Sequence, residues 1–288
     1  LGSNLMRLDE QLMAFPVPVG EQDLSPRDAM LYSLGIGIGS DPLDKGQLQF
    51  VYEKDLSVFP SMAVVLAGPG FWLKDPGTGV DWVKVLHGEM GMVLHRPIPT
   101  QGKLTGRTSI VDVIDKGENR GALIFQERIV TDESGDKICT LTSTTFARGN
   151  GGFGGPAKVA PAPHTLPERD PDGSVDLPMI DQAALIYRLS GDYNPLHADP
   201  DVAIAAGFER PILHGLCTFG VACHGLVKGA LGYDAKRLKE MRLRFSAPVY
   251  PGETIRVEYW QDGNTLSFRA LVVERDIVVL NNGCAITE

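Results

Sequence analysis

The sequence lacks several features that would assign it to a membrane or secreted class of protein. Its 288 residues contain no apolar run of about 18 residues, the length that a helix needs to cross a bilayer. Its beginning, LGSNLMRLDE, lacks the basic region followed by an apolar stretch that marks a secretory signal. Its last residues, CAITE, do not match a peroxisomal targeting signal. We therefore expect a cytoplasmic protein with no membrane partner.

Cysteine and positive charge are also scarce. The four cysteines, at positions 139, 217, 223 and 284, show no CxxC spacing, which disfavours a disulfide framework and a zinc site. The chain has 27 Lys and Arg against 36 Asp and Glu, and the resulting net charge of -9 argues against a nucleic-acid partner. Hydrophobic residues make up 43% of the chain, which is enough for one large domain or two smaller ones.

A segment rich in glycine and proline divides the chain into two nearly equal halves. This segment, GNGGFGGPAKVAPAPH at residues 149–164, shows no apolar period and has the composition of a linker. We predict one domain over residues 1–150, a linker over 151–164 and a second domain over 165–288.

The two halves resemble each other in the order of their sequence patterns. Each ends in apolar and β-branched runs that predict strands, with hairpin turns at ESGD and at QDGN. VLHRPIPTQGKL, at residues 93–104, matches LRFSAPVYPGETI, at residues 243–255, in type: a strand, prolines, then a glycine before the next strand. This match indicates a duplicated domain.

Each half also has a candidate central helix. HGLCTFGVACHGLVKGAL, at residues 214–231, is apolar nearly all round, so it predicts a helix that is buried on most sides. Strands wrapped round such a helix give an α+β architecture. The candidate counterpart in the first half is residues 25–39, with Ser25 as N-cap and Pro26 at the first helical position. Glycines follow, so we expect that helix to be short.

The stretch SGDYNPLH concentrates polar residues that are suited to a site. Asp192 and His197 are five residues apart, which on a helix is about 140° of rotation, so a helix would place them on different faces. Pro195 pushes Asn194 out of helical geometry, and Gly191 permits a tight turn. We therefore expect a curled loop that directs Asp192 and His197 at one spot. Asn194 would fasten this loop or donate a hydrogen bond into the site.

The residues after this loop predict two helix starts. Asp199 as N-cap, Pro200 at the first position and Gly207 at the end predict a short helix. If the buried helix begins near His214, the N–H of Gly215 is an unpaired first-turn donor that can bind a developing oxyanion. An acid–base pair with an oxyanion donor suits proton chemistry next to a carbonyl. The sequence has no GxSxG motif that would indicate an enzyme nucleophile.

The combination of SGDYNPLHAD and PILHGLCTFG resembles the signature of the MaoC-like, (R)-specific enoyl-CoA hydratases, or hydratase 2 family. The resemblance spans nearly the whole chain and is strongest to the two-domain form, which includes the hydratase unit of peroxisomal multifunctional enzyme type 2. It implies a double hot-dog fold, in which each half is a sheet wrapped round a central helix. In that form only the C-terminal half keeps the catalytic loop, and the first half of this chain indeed has no such motif.

The resemblance implies a hydro-lyase that hydrates trans-2-enoyl-CoA to (3R)-3-hydroxyacyl-CoA, or catalyses the reverse dehydration. Asp192 and His197 match the family's catalytic pair, which acts on one water; Asn194 matches the residue that supports them, and Gly215 matches the oxyanion donor. The acyl-CoA site is expected to include His87, Gly88, Lys116, Tyr193 and Phe245. We expect no metal and no cofactor apart from the CoA of the substrate, medium- to long-chain substrates, and a stand-alone homodimer.

Other interpretations of these residues stay open. Asp192 and His197 also fit an ordinary turn, although the His-Gly helix start downstream favours a site. His214 fits capping or packing, and His224 fits the core. A metal site of Asp192, His197 and Asp199 lacks a clear further ligand. A basic cluster fits either CoA phosphates or a solvated face; it comprises Lys236, Arg237, Lys239, Arg242 and Arg244.

Two other functions compete with hydration. A hot-dog thioesterase would hydrolyse the thioester and release free CoA. A non-catalytic acyl-CoA binding module would not need an intact set of Asp192, Asn194 and His197.

Overall fold

The structure is a computed structural model that describes residues 6–288, so the first half of LGSNLMRLDE, residues 1–5, lies outside the described residues. One antiparallel sheet of ten strands forms the frame. The strands are β1 (Gly20–Leu24), β2 (Val85–Leu94), β3 (Gly102–Asp115), β4 (Ala122–Thr131), β5 (Lys137–Ala147), β6 (Gly173–Pro178), β7 (Leu238–Phe245), β8 (Thr254–Asp262), β9 (Thr265–Val272) and β10 (Ile277–Thr287). The helices are α1 (Leu8–Ala14), α2 (Pro26–Gly35), α3 (Lys45–Leu48), α4 (Ala183–Tyr187), α5 (Pro200–Ala205) and α6 (Gly215–Gly229).

The strand order repeats itself about the middle of the sheet. From one edge to the other it is β1-β3-β4-β5-β2-β7-β10-β9-β8-β6, so the second five strands mirror the first five. The halves join where β2 pairs with β7, from Glu89 opposite Arg244 to Val93 opposite Glu240. Residues 93–104 and 243–255 lead from these two central strands into β3 and β8. The duplication expected from those two segments is confirmed, and so is the α+β architecture.

The predicted hairpin turns are also confirmed. ESGD lies between β4 and β5, where Gly135 has a φ of 82°. QDGN joins β8 to β9, where Gly263 has a φ of 60°. Both glycines adopt the left-handed region that other residues rarely enter, which is why each sequence turns at that position.

The helix α6 is the centre of the core, as its apolar sequence predicts. Every residue from Cys217 to Val227 is buried. Glycines allow neighbours to approach closely: a Cβ at Gly220 would lie 2.7 Å from Ile36 Cγ2 of the first half, and one at Gly225 would lie 2.6 Å from Val257 Cγ2 of the second. Among residues 6–288, neither α6 nor any other helix has the length and hydropathy that a bilayer-spanning segment requires.

The expected counterpart of α6 in the first half requires a correction. Ser25 caps α2 and Pro26 begins it, as predicted. However, α2 follows β1 in the chain as α4 follows β6, so α2 is the counterpart of α4. The position before β2 that corresponds to α6 holds only short 3-10 turns, beginning with the buried segment Pro60–Val65. The helix start at Ser25 and Pro26 suggested the match, whereas the order of helices and strands along the chain decides it.

Candidate active site

The SGDYNPLH segment forms the curled loop that the sequence predicts. Gly191 has a φ of 125°, which lets the chain reverse before Asp192. The Asp192 Oδ1 accepts a hydrogen bond from the Asn194 N–H at 3.1 Å. The Asn194 Oδ1 accepts one from the Leu196 N–H at 3.0 Å and so caps the 3-10 turn Pro195–His197. Asn194 therefore fastens the loop through its side chain.

A short helix secures the far end of this loop. The Asp199 Oδ1 accepts a hydrogen bond from the Asp201 N–H at 2.9 Å, Pro200 is the first residue of α5, and Gly207 follows its end with a φ of 93°. The predicted helix and its caps are thus present. The loop lies between two ordered elements, which is the support that a preorganised site requires.

His197 is held in one orientation and one tautomer. Its side chain is buried, with 9% of the residue exposed, and its Nδ1 lies 2.8 Å from the carbonyl oxygen of Ile212. Because a carbonyl only accepts, Nδ1 carries the proton and Nε2 keeps its lone pair when the ring is neutral. Burial lowers the pKa of His197, although the hydrogen bond to Ile212 and the charge of Asp192 oppose this shift. The neutral ring is therefore a proton acceptor at Nε2.

His214 contacts both Asp192 and His197. Its ring stacks on that of His197, with centroids 3.8 Å apart and planes 27° apart. Its Nε2 donates to the carbonyl oxygen of Asp192 at 3.1 Å. One carboxylate oxygen of Asp192 and one nitrogen of each histidine lie within 4.8 Å of one another. The structure thus brings Asp192 and His197 together, as the sequence predicts, and adds His214 to them.

Acidic and imidazole groups this close raise the question of a metal ion. Asp199, considered from the sequence as a third ligand, instead caps α5, and His214 takes that place in the cluster. The Nε2 of His214 donates its proton to the Asp192 carbonyl oxygen, so in this arrangement it offers no lone pair to a metal ion. This arrangement suits proton transfer better than chelation.

Gly215 lies against Phe245, which in turn contacts His87 of the first half. It is the first residue of α6, so its N–H has no carbonyl one turn earlier in the helix. A Cβ at Gly215 would lie 3.3 Å from Phe245 Cε1, so the aromatic ring lies directly against this glycine. The ring of Phe245 also contacts His87 on β2, with centroids 4.8 Å apart. Desolvation lowers the pKa of His87, but the residue is exposed, so water limits this lowering.

A cavity of ≈ 260 Å³ opens beside Phe245. Gly88 and Lys116, both expected at the acyl-CoA site, line it together with Phe245. Gly88 lies at a bulge where β2 loses register with β5, and a Cβ there would lie 3.1 Å from the Thr144 carbonyl oxygen. The remaining lining residues are Glu89, Leu123, Phe125, Thr144, Phe146, Ala160, Pro161 and Arg244.

Sequence reasoning missed the contribution of the connecting segment, residues 151–164. Ala160 and Pro161 form part of the cavity wall, although their surroundings in the sequence indicate only a linker. The segment is tied to the sheet: the Asp115 carboxylate accepts hydrogen bonds from the N–H groups of Gly152 and Gly154, at 2.8 and 2.7 Å. Local sequence patterns do not reveal these contacts, because the contacts join residues about 40 positions apart.

Tyr193 and most of the basic cluster lie away from the cavity beside Phe245. Tyr193 is 57% exposed, with the Arg188 guanidinium 4.8 Å from its ring centre, and it does not line this cavity. Of the basic cluster, Arg244 reaches the cavity and pairs with Glu89 at 2.5 Å. Arg237 and Lys239 instead contact Glu288, the last residue of the sequence, at 2.9 and 3.2 Å.

Comparison with known proteins matches both halves of the chain. The family described as "MFE-2 hydratase 2 N-terminal domain" matches residues 23–149, and "MaoC like domain" matches residues 163–282. Enoyl-CoA hydratase ChsH3 of Mycobacterium tuberculosis is 39% identical over 283 residues, which cover 96% of each chain. Peroxisomal multifunctional enzyme type 2 of Mus musculus is 39% identical over 264 residues, which cover 88% of this chain and 35% of that longer protein.

The fold has a close match among solved structures. A MaoC-like dehydratase from Phytophthora capsici superimposes with a TM-score of 0.84 at 35% identity, covering 96% of this chain and 98% of the other. Together with the mirrored strand order, this likeness confirms the expected double hot-dog fold.

Proposed function

The chain belongs to the MaoC-like family of hydratase 2 proteins, and from this premise we propose that it is an (R)-specific enoyl-CoA hydratase. It adds water reversibly to trans-2-enoyl-CoA and forms (3R)-3-hydroxyacyl-CoA. The observation that carries the proposal is the meeting of the Asp192 carboxylate and the His197 ring within 4.8 Å. This pair lies beside the first N–H of α6, where Gly215 can receive a thioester oxygen.

The first step places a water between Asp192 and His197. The water oxygen forms a bond to C3 while one of its protons passes to Nε2 of His197, the ring nitrogen left free by the Ile212 hydrogen bond. The Asp192 carboxylate accepts the second hydrogen of this water and so fixes its orientation. His197 suits the role of base because burial lowers its pKa and keeps the ring neutral.

The second step returns a proton to the substrate. As the C3–O bond forms, the electrons of the double bond shift towards the thioester, whose oxygen gains negative charge. The Gly215 N–H stabilises that oxygen, a contribution of about 10²–10³-fold for one donor. C2 then takes the proton that His197 holds at Nε2, and the ring becomes neutral again. One water has been added, and the pair has recovered the proton count with which it began.

The proposal requires no cofactor and no covalent intermediate. All four cysteines are buried, and burial raises the pKa of Cys217, the cysteine two residues after Gly215, well above its usual range. A thiolate nucleophile next to the site is therefore disfavoured. We expect the protein to keep full activity after treatment with a chelator. Loss of activity would instead indicate that Asp192, His197 and His214 hold a metal ion.

The first half of the chain bears on the length of the substrate's acyl group. Medium- to long-chain acyl groups are supported by the first half, where short 3-10 turns stand in place of a helix like α6. We propose that residues 1–150 line the acyl-CoA site and that residues 165–288 carry the catalytic loop. A homodimer and a cytoplasmic location stay predictions, and relatives of the chain include proteins named as peroxisomal.

To test the proposal, purified protein is mixed with trans-2-decenoyl-CoA, and the absorbance of the conjugated thioester and the concentration of free CoA are measured over time. The proposal predicts loss of conjugation without release of CoA, and a rate that depends on chain length from crotonyl-CoA upwards. Release of CoA would instead identify a thioesterase. Binding without turnover of any chain length would identify a non-catalytic acyl-CoA module.

A further inference from the structure

The side chain of His214 makes specific contacts that neither capping nor packing explains. It stands at the N-cap of α6, yet its side chain makes no capping hydrogen bond; only its carbonyl receives the N–H groups of Cys217 and Thr218. The residue is 1% exposed, so its ring is enclosed by protein. An apolar ring of similar size would fill this space without burying polar nitrogens.

The two nitrogens of the buried ring differ in their hydrogen bonding. Nε2 donates to the carbonyl oxygen of Asp192 at 3.1 Å, so it carries the proton. Nδ1 has no hydrogen-bond partner among the described residues. Leaving a buried acceptor unpaired costs free energy, so packing stability alone does not explain a histidine at this position.

The faces of the ring fix its position relative to the site. One contact is the stack on His197, with centroids 3.8 Å apart, and another is the buried ring of Tyr187, with centroids 4.9 Å apart. His197 is also held from Ile212, two residues before His214, by the 2.8 Å hydrogen bond to Nδ1. The segment from Ile212 to His214 thus orients His197 by its edge and by its face.

We propose that His214 is a positioning residue that couples Asp192 to His197. Its Nε2–H fixes the backbone at Asp192, and its ring plane fixes the imidazole of His197, so one side chain sets the separation of the two reacting groups. The inference rests on the proposed hydratase function. His214 contacts neither the water nor the substrate in this scheme; it acts through His197 and Asp192.

Three substitutions separate the two contacts. H214A removes both, H214F keeps a flat ring against His197 but lacks the donor, and H214Q keeps an N–H donor but lacks the ring. We expect H214A to lower kcat about 10²-fold with little change in KM, the effect of a misplacement of about 1 Å. H214F and H214Q should each lose less, roughly three- to tenfold for the removal of one contact.

The decisive experiment is a double-mutant cycle with His197. A residue that acts through His197 has nothing left to position once that ring is gone, so H197A/H214A should be no slower than H197A. His224, also buried on α6 and bonded at Nε2 to Tyr233 at 3.0 Å, provides the matched control, and H224Q should keep the wild-type kcat. An equal further loss in the H197A background, or an unchanged kcat in H214A, would overturn the proposal.

A second readout does not depend on turnover. NMR of the imidazoles should show that the Nδ1–H of His197, bonded to the Ile212 carbonyl, exchanges slowly with solvent in the wild type and in H214F. It should exchange faster in H214A and H214Q, where no stacked ring holds His197 against that carbonyl. A wild type without hydratase activity would refute the proposed function alone, and the exchange of this proton would still decide the role of His214. If the proton exchanges equally slowly in every folded His214 variant, the positioning role is wrong.

Discussion

The two halves of the molecule have the same five-strand arrangement but differ in what covers the sheet. Both halves present their second strand, β2 or β7, to the joint at the centre. The second half then holds the 15-residue helix α6, whereas the first half has short 3-10 turns such as Pro60–Val65 at the corresponding place in the chain. A duplicated frame therefore carries one long helix and, by our account, one catalytic loop.

The difference shows how a helix start creates a site. The beginning of α6 supplies the Gly215 N–H and the His214 ring. Ile212, two residues before His214, supplies the carbonyl that orients His197. The first half has no helix start at that position and instead contributes Gly88 and Lys116 to the cavity wall. We interpret this as a division between catalysis and binding, and the following substitutions test it.

The largest effect should come from the acid–base pair. H197Q or D192N should lower kcat by about 10²–10⁴-fold because either change removes a group that transfers or orients a proton. His95, in the first half, bonds to Thr140 at 2.7 Å outside the loop, so H95Q provides a matched control with wild-type kcat. Steady-state hydration kinetics measure both. A folded H197Q protein with near-normal kcat would rule out the scheme.

The next effect should come from the helix N-terminus itself. G215P deletes the proposed oxyanion donor, and proline is favoured at a first helical position when the preceding residue is extended, as His214 is with φ −59° and ψ 135°. G215A introduces the same Cβ against Phe245 but keeps the N–H. We expect G215P to be about 10²–10³-fold slower than G215A in kcat. Equal rates for the two variants would mean that this N–H does not contact the thioester.

A smaller effect should appear in stability, where α6 packs against both halves. G220A places a Cβ 2.7 Å from Ile36 Cγ2, and G225A places one 2.6 Å from Val257 Cγ2. Overpacking costs about 1–3 kcal/mol, and the better helix propensity of alanine offsets about 1 kcal/mol of it. We expect net losses of up to about 2 kcal/mol in the free energy of unfolding, measured by urea titration. A stabilised G225A would show that the sheet of the second half can move away from α6.

The remaining effect concerns acid sensitivity, to which the buried His224 of the second half should contribute. Burial lowers the pKa of His224 to about 4, below the value of about 6.5 expected in the unfolded chain. Between these values the unfolded chain binds more protons, so the free energy of unfolding falls as the pH is lowered, by up to about 1.4 kcal/mol per pH unit. H224Q should flatten this dependence between pH 6.5 and pH 4. An unchanged slope would show that His224 does not contribute to it.

Local signals made much of the loop predictable from the sequence. Gly191 at the turn, Asn194 as a cap and the Asp199–Pro200 helix start each act within a few residues, and each lies where expected. The apolar pattern of α6 likewise predicts burial because a helix without a polar face has no surface to present to water.

Contacts between distant segments were not predictable in the same way. The ring of His214 meets Asp192 and His197 only because the fold returns the chain to the loop, so spacing alone favoured capping or packing. Ala160 and Pro161 enter the cavity wall from a segment without any periodic pattern. The helix start at Ser25 and Pro26 suggested α2 as the counterpart of α6, whereas the order of helices and strands along the chain pairs it with α4.

The most direct test of the account is the product formed from trans-2-decenoyl-CoA in deuterated water, compared between the wild type and H197Q. We predict that the wild type yields the 3R alcohol with one deuterium at C2 and no free CoA, and that H197Q yields almost none in the same time. A 3S product, cleavage of the thioester, or equal yields from the two proteins would contradict the claim that the chain is an (R)-specific hydratase that acts through Asp192 and His197.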